Sequence, residues 1–207
     1  IISKCRSPIP EITTCPVSSS VFTLNVGSSR VSFANPCPSF SWSAFDLGST
    51  ATWMTGAGKV IGFDFDHGAL EIAFKRAQLE QLDLLPLWLD AANPSPSQGW
   101  GEAERMGLAG RAQPDALLAL AFIHHIAIGR NVPLDMAVDW LVSLAPAGVI
   151  EFPHKEDPMV QLLLSQRPDI FPDYRNETFA NLLSQRARIV KAVDVLPTRT
   201  LYWFERN

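Results

Sequence analysis

Lys59-Val-Ile-Gly-Phe-Asp-Phe-Asp66 is a short apolar run that ends in acids, and Leu84-Leu-Pro-Leu-Trp-Leu-Asp90 repeats that pattern further along. Between them, Ile72, Leu79 and Leu82 recur around Ala69, Ala73 and Ala77 at helical spacing. A strand, a helix and a second strand in this order make a βαβ unit and predict a parallel sheet. The alternation continues downstream. Asp115-Ala-Leu-Leu-Ala-Leu-Ala-Phe-Ile123 is apolar after its first residue, as a central strand covered on both faces should be. Leu134, Ala137, Val138, Leu141 and Val142 form one helical stripe, and Gly148-Val-Ile-Glu-Phe152 reads as another buried strand. Asp157-Pro158 is an N-cap followed by Pro at the first helical position. A further helix is expected over 177–186. Strands are expected over 188–195 and 198–204, joined around Pro197 by a turn too short for a crossover, so the last strand is antiparallel. The predicted fold class is α/β, a Rossmann-like sheet that is mostly parallel with one late antiparallel strand.

The chain has 207 residues, 47% hydrophobic and 18% charged, enough to bury a substantial core. Its net charge of −4 does not favour a nucleic-acid partner, which calls for a basic face. No apolar run has the length of a membrane span. The opening Ile1-Ile2-Ser-Lys-Cys-Arg has no basic region leading into a long apolar core, so a cytoplasmic protein is expected. Residues 1–44 hold Cys5, Cys15 and Cys37, eleven serines and only four charged residues. They read as an irregular Ser/Pro/Cys-rich arm, with strand-like stretches at 21–26 and 30–33, preceding a domain over 45–207. Three cysteines do not make a disulfide framework.

Ligands of open parallel sheets bind outside the carboxyl ends of the strands, so the residues that follow each strand are the candidates for chemistry. Gly48, in Phe45-Asp46-Leu-Gly-Ser49, lets the backbone approach a ligand closely. A carboxylate at Asp64 can accept both hydroxyls of a ribose, or Asp64 and Asp66 can simply cap the next helix. Asp90 can meet an adenine amino group or a neighbouring backbone N–H. His124-His125 sits where a neutral imidazole could take a substrate proton. The pair is a poor metal site, since adjacent residues seldom turn both rings to one ion and no further ligand lies at a suitable spacing. Glu151 can bind substrate or pair with Arg105, and Trp100 can stack on a substrate or an adenine, or tuck onto its own domain. Residues 169–174 read as a rigid turn with Tyr174 packing inward.

Over residues 45–205 the chain resembles the class I S-adenosylmethionine-dependent methyltransferases, and within them a bacterial subgroup that includes nodulation-type methyltransferases. The resemblance is carried by Asn93-Pro-Ser-Pro-Ser-Gln-Gly-Trp100, Glu104-Arg105, Ala121-Phe-Ile-His-His-Ile-Ala-Ile128, Asn131-Val-Pro133, Glu151-Phe152, Asp169-Ile-Phe-Pro-Asp-Tyr174 and Thr198-Arg-Thr-Leu-Tyr202. It implies S-adenosylmethionine as cofactor and transfer of its methyl group to an acceptor that the sequence does not name. It also implies Asp46 and Gly48 beneath the methionine part, Asp64 on the ribose and Asp90 beside the adenine. The first loop departs from the family pattern: Asp46-Leu-Gly-Ser-Thr-Ala-Thr-Trp-Met-Thr-Gly-Ala-Gly58 lacks the second loop glycine. The stretch to Asp64 is also shorter than usual by about five residues, some 7–8 Å of helix. That departure supports an alternative, a non-catalytic methyltransferase-like interaction domain that has lost cofactor binding. A nicotinamide-dependent oxidoreductase is a third reading, but it wants a fuller Gly-x-Gly-x-x-Gly turn.

Overall fold

The computed structural model describes residues 22–26, 29–33, 60–111 and 114–206. Asp46, Gly48, the three cysteines and the boundary expected at 44/45 lie outside the described residues. Within the arm, β1 (Phe22–Val26) and β2 (Ser29–Phe33) pair antiparallel.

The decisive unit is a βαβ. β3 (Val60–Asp64) and β4 (Leu84–Trp88) pair parallel, with Asp64 opposite Trp88, and α1 (His67–Leu79) connects them. Asp66 caps α1, its carboxylate accepting the Gly68 N–H at 2.7 Å. The helix packs through small residues, since Ala73 and Ala77 are buried whereas Ile72 and Leu79 are 58% and 84% exposed. The apolar stripe read from the sequence is thus only its alanine ridge. Pro86, with no N–H to donate, is tolerated because β4 pairs only with β3 among the described residues.

The third strand of the domain departs from its prediction. β5 covers only Leu117–Ala119, where the sequence predicted a strand running to Ile123. The Ala121 N–H turns away from the ladder to the Glu151 carboxylate at 2.5 Å, and Ala121 adopts a left-handed φ of 49°. The chain then enters a π-turn, His125–Gly129. Ile123, Ile126, Ala127 and Ile128 are still buried, but from a turn. A short apolar run reads the same in either case.

After this turn the sequence reading holds closely. Ahead of β5, α2 is a single turn at Leu108–Arg111, with no counterpart among the sequence-based expectations. α3 (Leu134–Leu144) buries Leu134, Ala137, Val138, Leu141 and Val142, the stripe expected. α4 (Pro158–Ser165) begins at the Asp157 cap, which accepts the Met159 N–H at 3.0 Å. α5 spans Asn176–Ser184. β6 (Ala147–Pro153), β7 (Arg188–Leu196) and β8 (Arg199–Glu205) complete a sheet of order β5-β6-β8-β7. β5 and β6 are parallel, and β8 lies antiparallel to both β6 and β7. β5, β6 and β7 therefore run one way with β8 inserted against them.

The core lies beside β6. Phe152 stacks on Tyr174 and on Phe179, each at 4.7 Å between centroids. The Tyr174 hydroxyl donates to the Pro153 carbonyl at 2.8 Å, so the turn over 169–174 is anchored as its sequence suggested. Gly148 marks the tightest approach in the sheet, since a Cβ there would stand 2.6 Å from the Leu117 carbonyl oxygen and 2.9 Å from the Phe204 ring. Overpacking of this kind costs about 1–3 kcal/mol. Gly148→Ala should therefore lower the unfolding free energy by about that amount, read as a lower denaturant midpoint; an unchanged midpoint would refute the close packing of β5 on β6.

Candidate active site

β3 and β4 deliver their acids to one edge. At the end of β3, one Asp64 oxygen accepts the Asp66 N–H at 2.8 Å, folding the chain tightly into α1. Phe65, directly after it, is exposed. Its carbonyl accepts the Trp88 indole N–H at 3.0 Å, and the two rings lie 5.7 Å apart. Trp88 also stacks on His67 at 5.9 Å. Two residues past β4, Asp90 Oδ1 accepts the Ala92 N–H at 3.1 Å, and Asp90 Oδ2 accepts from Arg130 Nη2 at 2.9 Å. Arg130 ends the π-turn and lays its guanidinium carbon 5.3 Å from the centre of the Phe65 ring. Arg167 fixes the far end of that turn, donating to the Ile128 carbonyl and to Asn131 Oδ1, each at 2.6 Å.

The two adjacent histidines have opposite environments. Their rings are 4.1 Å apart, but His124 is 1% exposed and neither ring nitrogen has a hydrogen-bond partner among the described residues. Burial above all, then His125 and Arg199, hold its pKa down to about 3, against a smaller opposing pull from Asp157. His124 is therefore a neutral core residue, and the near-neutral pKa on which its predicted proton-accepting role rests is absent. His125 is exposed. Burial lowers its pKa as well, while the Asp64 carboxylate acts to raise it. Of the pair, His125 faces the acid at the end of β3.

Glu151 faces inward. One oxygen accepts the Ala121 N–H, and the other accepts from Arg199 Nη1 at 3.2 Å. Both oxygens are engaged inside the protein. The pairing considered with Arg105 is made by Arg199 instead. Arg105 is bridged to Gln98 through the backbone. Arg199 also grips Asp157 at 2.7 and 3.0 Å, and Thr198 donates to the same carboxylate at 3.2 Å. Trp100 is 90% exposed in a short turn, Trp100–Glu102, and no described contact joins it to the strand edge.

The edge thus brings together Asp64, Asp90 and His125 from the predicted set, and it adds Phe65, Trp88 and Arg130. No sequence pattern marks Arg130, and Arg199, although it stands in the 198–202 segment, has no spacing that names its partners, because each meets them through strand order and turn geometry. Among the described residues no group of three His, Cys, Asp or Glu side chains stands close enough to hold a metal ion. No described helix is long and apolar enough to cross a membrane.

No protein-family model matches the chain. Over 154 residues it is 55% identical to the nodulation protein NoeA of Rhizobium meliloti (strain 1021). The match covers 73% of this chain and 32% of the relative, so the chain spans about a third of that protein's length. Among solved structures it is similar to the PH0226 protein of Pyrococcus horikoshii OT3, at 12% identity and a TM-score of 0.50, covering 72% of each chain. It is also similar to the protein described in the conversion of a disulfide bond into a thioacetal group during echinomycin biosynthesis. There the identity is 16% and the TM-score 0.51, covering 77% of this chain and 71% of that one. At such identities the likeness is one of fold. The chain is a homologue of a nodulation protein over those 154 residues, and its fold is α/β and Rossmann-like.

The Asp157 pKa shows what the inner network does. Burial alone would raise it, but hydrogen bonds from Arg199, the Met159 N–H and Thr198 bring it below its ordinary value. A depressed carboxylate contributes stability that is present above the unfolded pKa of about 3.9 and is lost as pH falls through the folded value. Unfolding midpoints should consequently fall on acidification below pH ~4, and Asp157→Asn should flatten that acid limb. Arg199→Met, which strands two buried carboxylates, should cost about 3–5 kcal/mol at neutral pH. An Arg199→Met protein as stable as the parent would contradict the clamp.

Proposed function

We propose that this chain binds S-adenosylmethionine across the carboxyl edge of its sheet and transfers the cofactor's methyl group to an acceptor. The observation that carries this reading is the convergence of Asp64, Phe65, Asp90 and His125 from the ends of β3 and β4 and the turn after β5. The residues fit a nucleoside. One Asp64 oxygen is spent on the Asp66 N–H, and the other is the acceptor for a ribose. Phe65 offers a ring face, and Asp90 Oδ2 an acceptor for an amino group. When bound, S-adenosylmethionine supplies an electrophilic methyl group on a sulfonium centre.

The chain's own part is to orient and to move a proton. Asp64 and Asp90 fix two ends of the nucleoside, so that the acceptor meets a held electrophile in place of a diffusing one. His125, whose pKa lies below its ordinary value through partial desolvation, takes the proton that the acceptor loses, and the Asp64 carboxylate favours the resulting imidazolium. His124 packs beneath it and keeps the turn filled. The match covers only 32% of NoeA, so in a longer protein of that kind the acceptor site can draw on further sequence. A second reading, an interaction domain without cofactor, is favoured by one observation: Arg130 already bonds Asp90.

Calorimetric titration with S-adenosylhomocysteine tests the proposal. Binding should weaken by about ten- to a hundredfold in Asp64→Asn, the range expected for losing hydrogen bonds to a charged group. The Asn side chain keeps an acceptor for the Asp66 N–H, so α1 still folds. No heat from a folded parent at millimolar ligand would move the assignment to the interaction domain. Once an acceptor is in hand, kcat should fall on acidification as the His125 imidazole takes up a proton, below the ordinary histidine range, and His125→Asn should abolish that limb.

A further inference from the structure

The least expected feature of the edge is the side chain lying across it. The Arg130 guanidinium is planar, stands over the Phe65 ring at 5.3 Å and donates to Asp90 Oδ2 at 2.9 Å. A nucleobase with an exocyclic amino group would make the same two contacts, a ring face on Phe65 and an N–H to the carboxylate. Asp90 Oδ1 is already taken by the Ala92 N–H. Arg130 covers the Phe65 face and the Oδ2 side of Asp90 together, so a base stacked on that face and bonded to that oxygen would compete with it for the same place. Arg130 is also free to leave: its side chain is half-exposed, at 48%, and it sits at the end of the π-turn with Gly129 before it.

We propose that Arg130 is a latch on the base end of this site, an internal occupant that an amino-bearing base must displace from Phe65 and Asp90 before it can bind. The inference rests on the nucleoside reading above and adds a competitor built into the chain. It reconciles an edge equipped for a nucleoside with a carboxylate that is already bonded. The latch is weak by construction. An exposed ion pair and one cation–π contact together oppose a ligand by about five- to tenfold in affinity. Because the ion pair is screened by salt and an amino-to-carboxylate bond less so, rising ionic strength loosens the latch.

The test is calorimetric titration of the parent, Arg130→Ala and Arg130→Gln with S-adenosylhomocysteine, adenosine and inosine, with circular dichroism as the check on folding. Arg130→Ala should bind S-adenosylhomocysteine about five- to tenfold tighter than the parent, with Arg130→Gln in between. Parent affinity should rise between ~50 and ~500 mM salt, and that of Arg130→Ala should not. Inosine, which presents a carbonyl where adenosine presents an amino group, should bind more weakly than adenosine to every form. If the alanine variant does not fold, Arg130→Gln carries the same comparison. A parent that binds, with substituted forms that bind equally or worse, overturns the latch and leaves the nucleoside reading standing. Equal affinity for adenosine and inosine also overturns the latch, since Asp90 would then not be the point of competition. No binding by any folded form overturns both.

Discussion

One guanidinium holds the interior of this domain together. Arg199 stands opposite Pro153 where β8 enters between β6 and β7, and it binds the carboxylates of Glu151 and Asp157 at once. Each partner passes the constraint on. Asp157 caps α4, and Glu151 captures the Ala121 N–H and so ends β5. A buried group of two acids and one base is stabilising only while complete, because losing any member leaves charge without a partner in a poorly polarisable interior. β8 thus supplies the cation that makes two acids from earlier in the sequence tolerable inside.

That constraint also shapes the candidate site. By drawing Ala121 into a left-handed turn, Glu151 stops the apolar run from continuing as a strand and redirects it into the segment carrying both histidines. The bend separates the pair. His124 goes under the sheet edge, where burial strips it of any useful basicity, and His125 stays at the surface near Asp64. Two identical side chains side by side in sequence are thereby given different chemistry by a single backbone turn.

Much of this was legible in the residues themselves. The paired acidic strand ends, the alanine ridge of α1, the stripe of α3, the Asp157-Pro158 start of α4 and the antiparallel final strand all follow from local periodicity, capping and connection length. What periodicity cannot express is a contact between distant segments. Glu151 meets Arg199 instead of Arg105 because antiparallel pairing of β6 with β8 puts them together, and no spacing encodes that register. Arg130 meets Asp90 across 40 positions for a similar reason. The end of β5 was misjudged because Leu-Ala-Leu-Ala-Phe-Ile is equally apolar as a strand or as a buried turn. The hydrogen bond that decides between them comes from thirty residues away.

The π-turn at His125–Gly129 carries one residue more per turn than an α-helix would. Loss of a single residue inside it would let the segment wind as a regular helical turn and would change the path by which the chain reaches Arg130. The number of residues in this turn therefore sets how the Arg130 guanidinium meets Phe65 and Asp90.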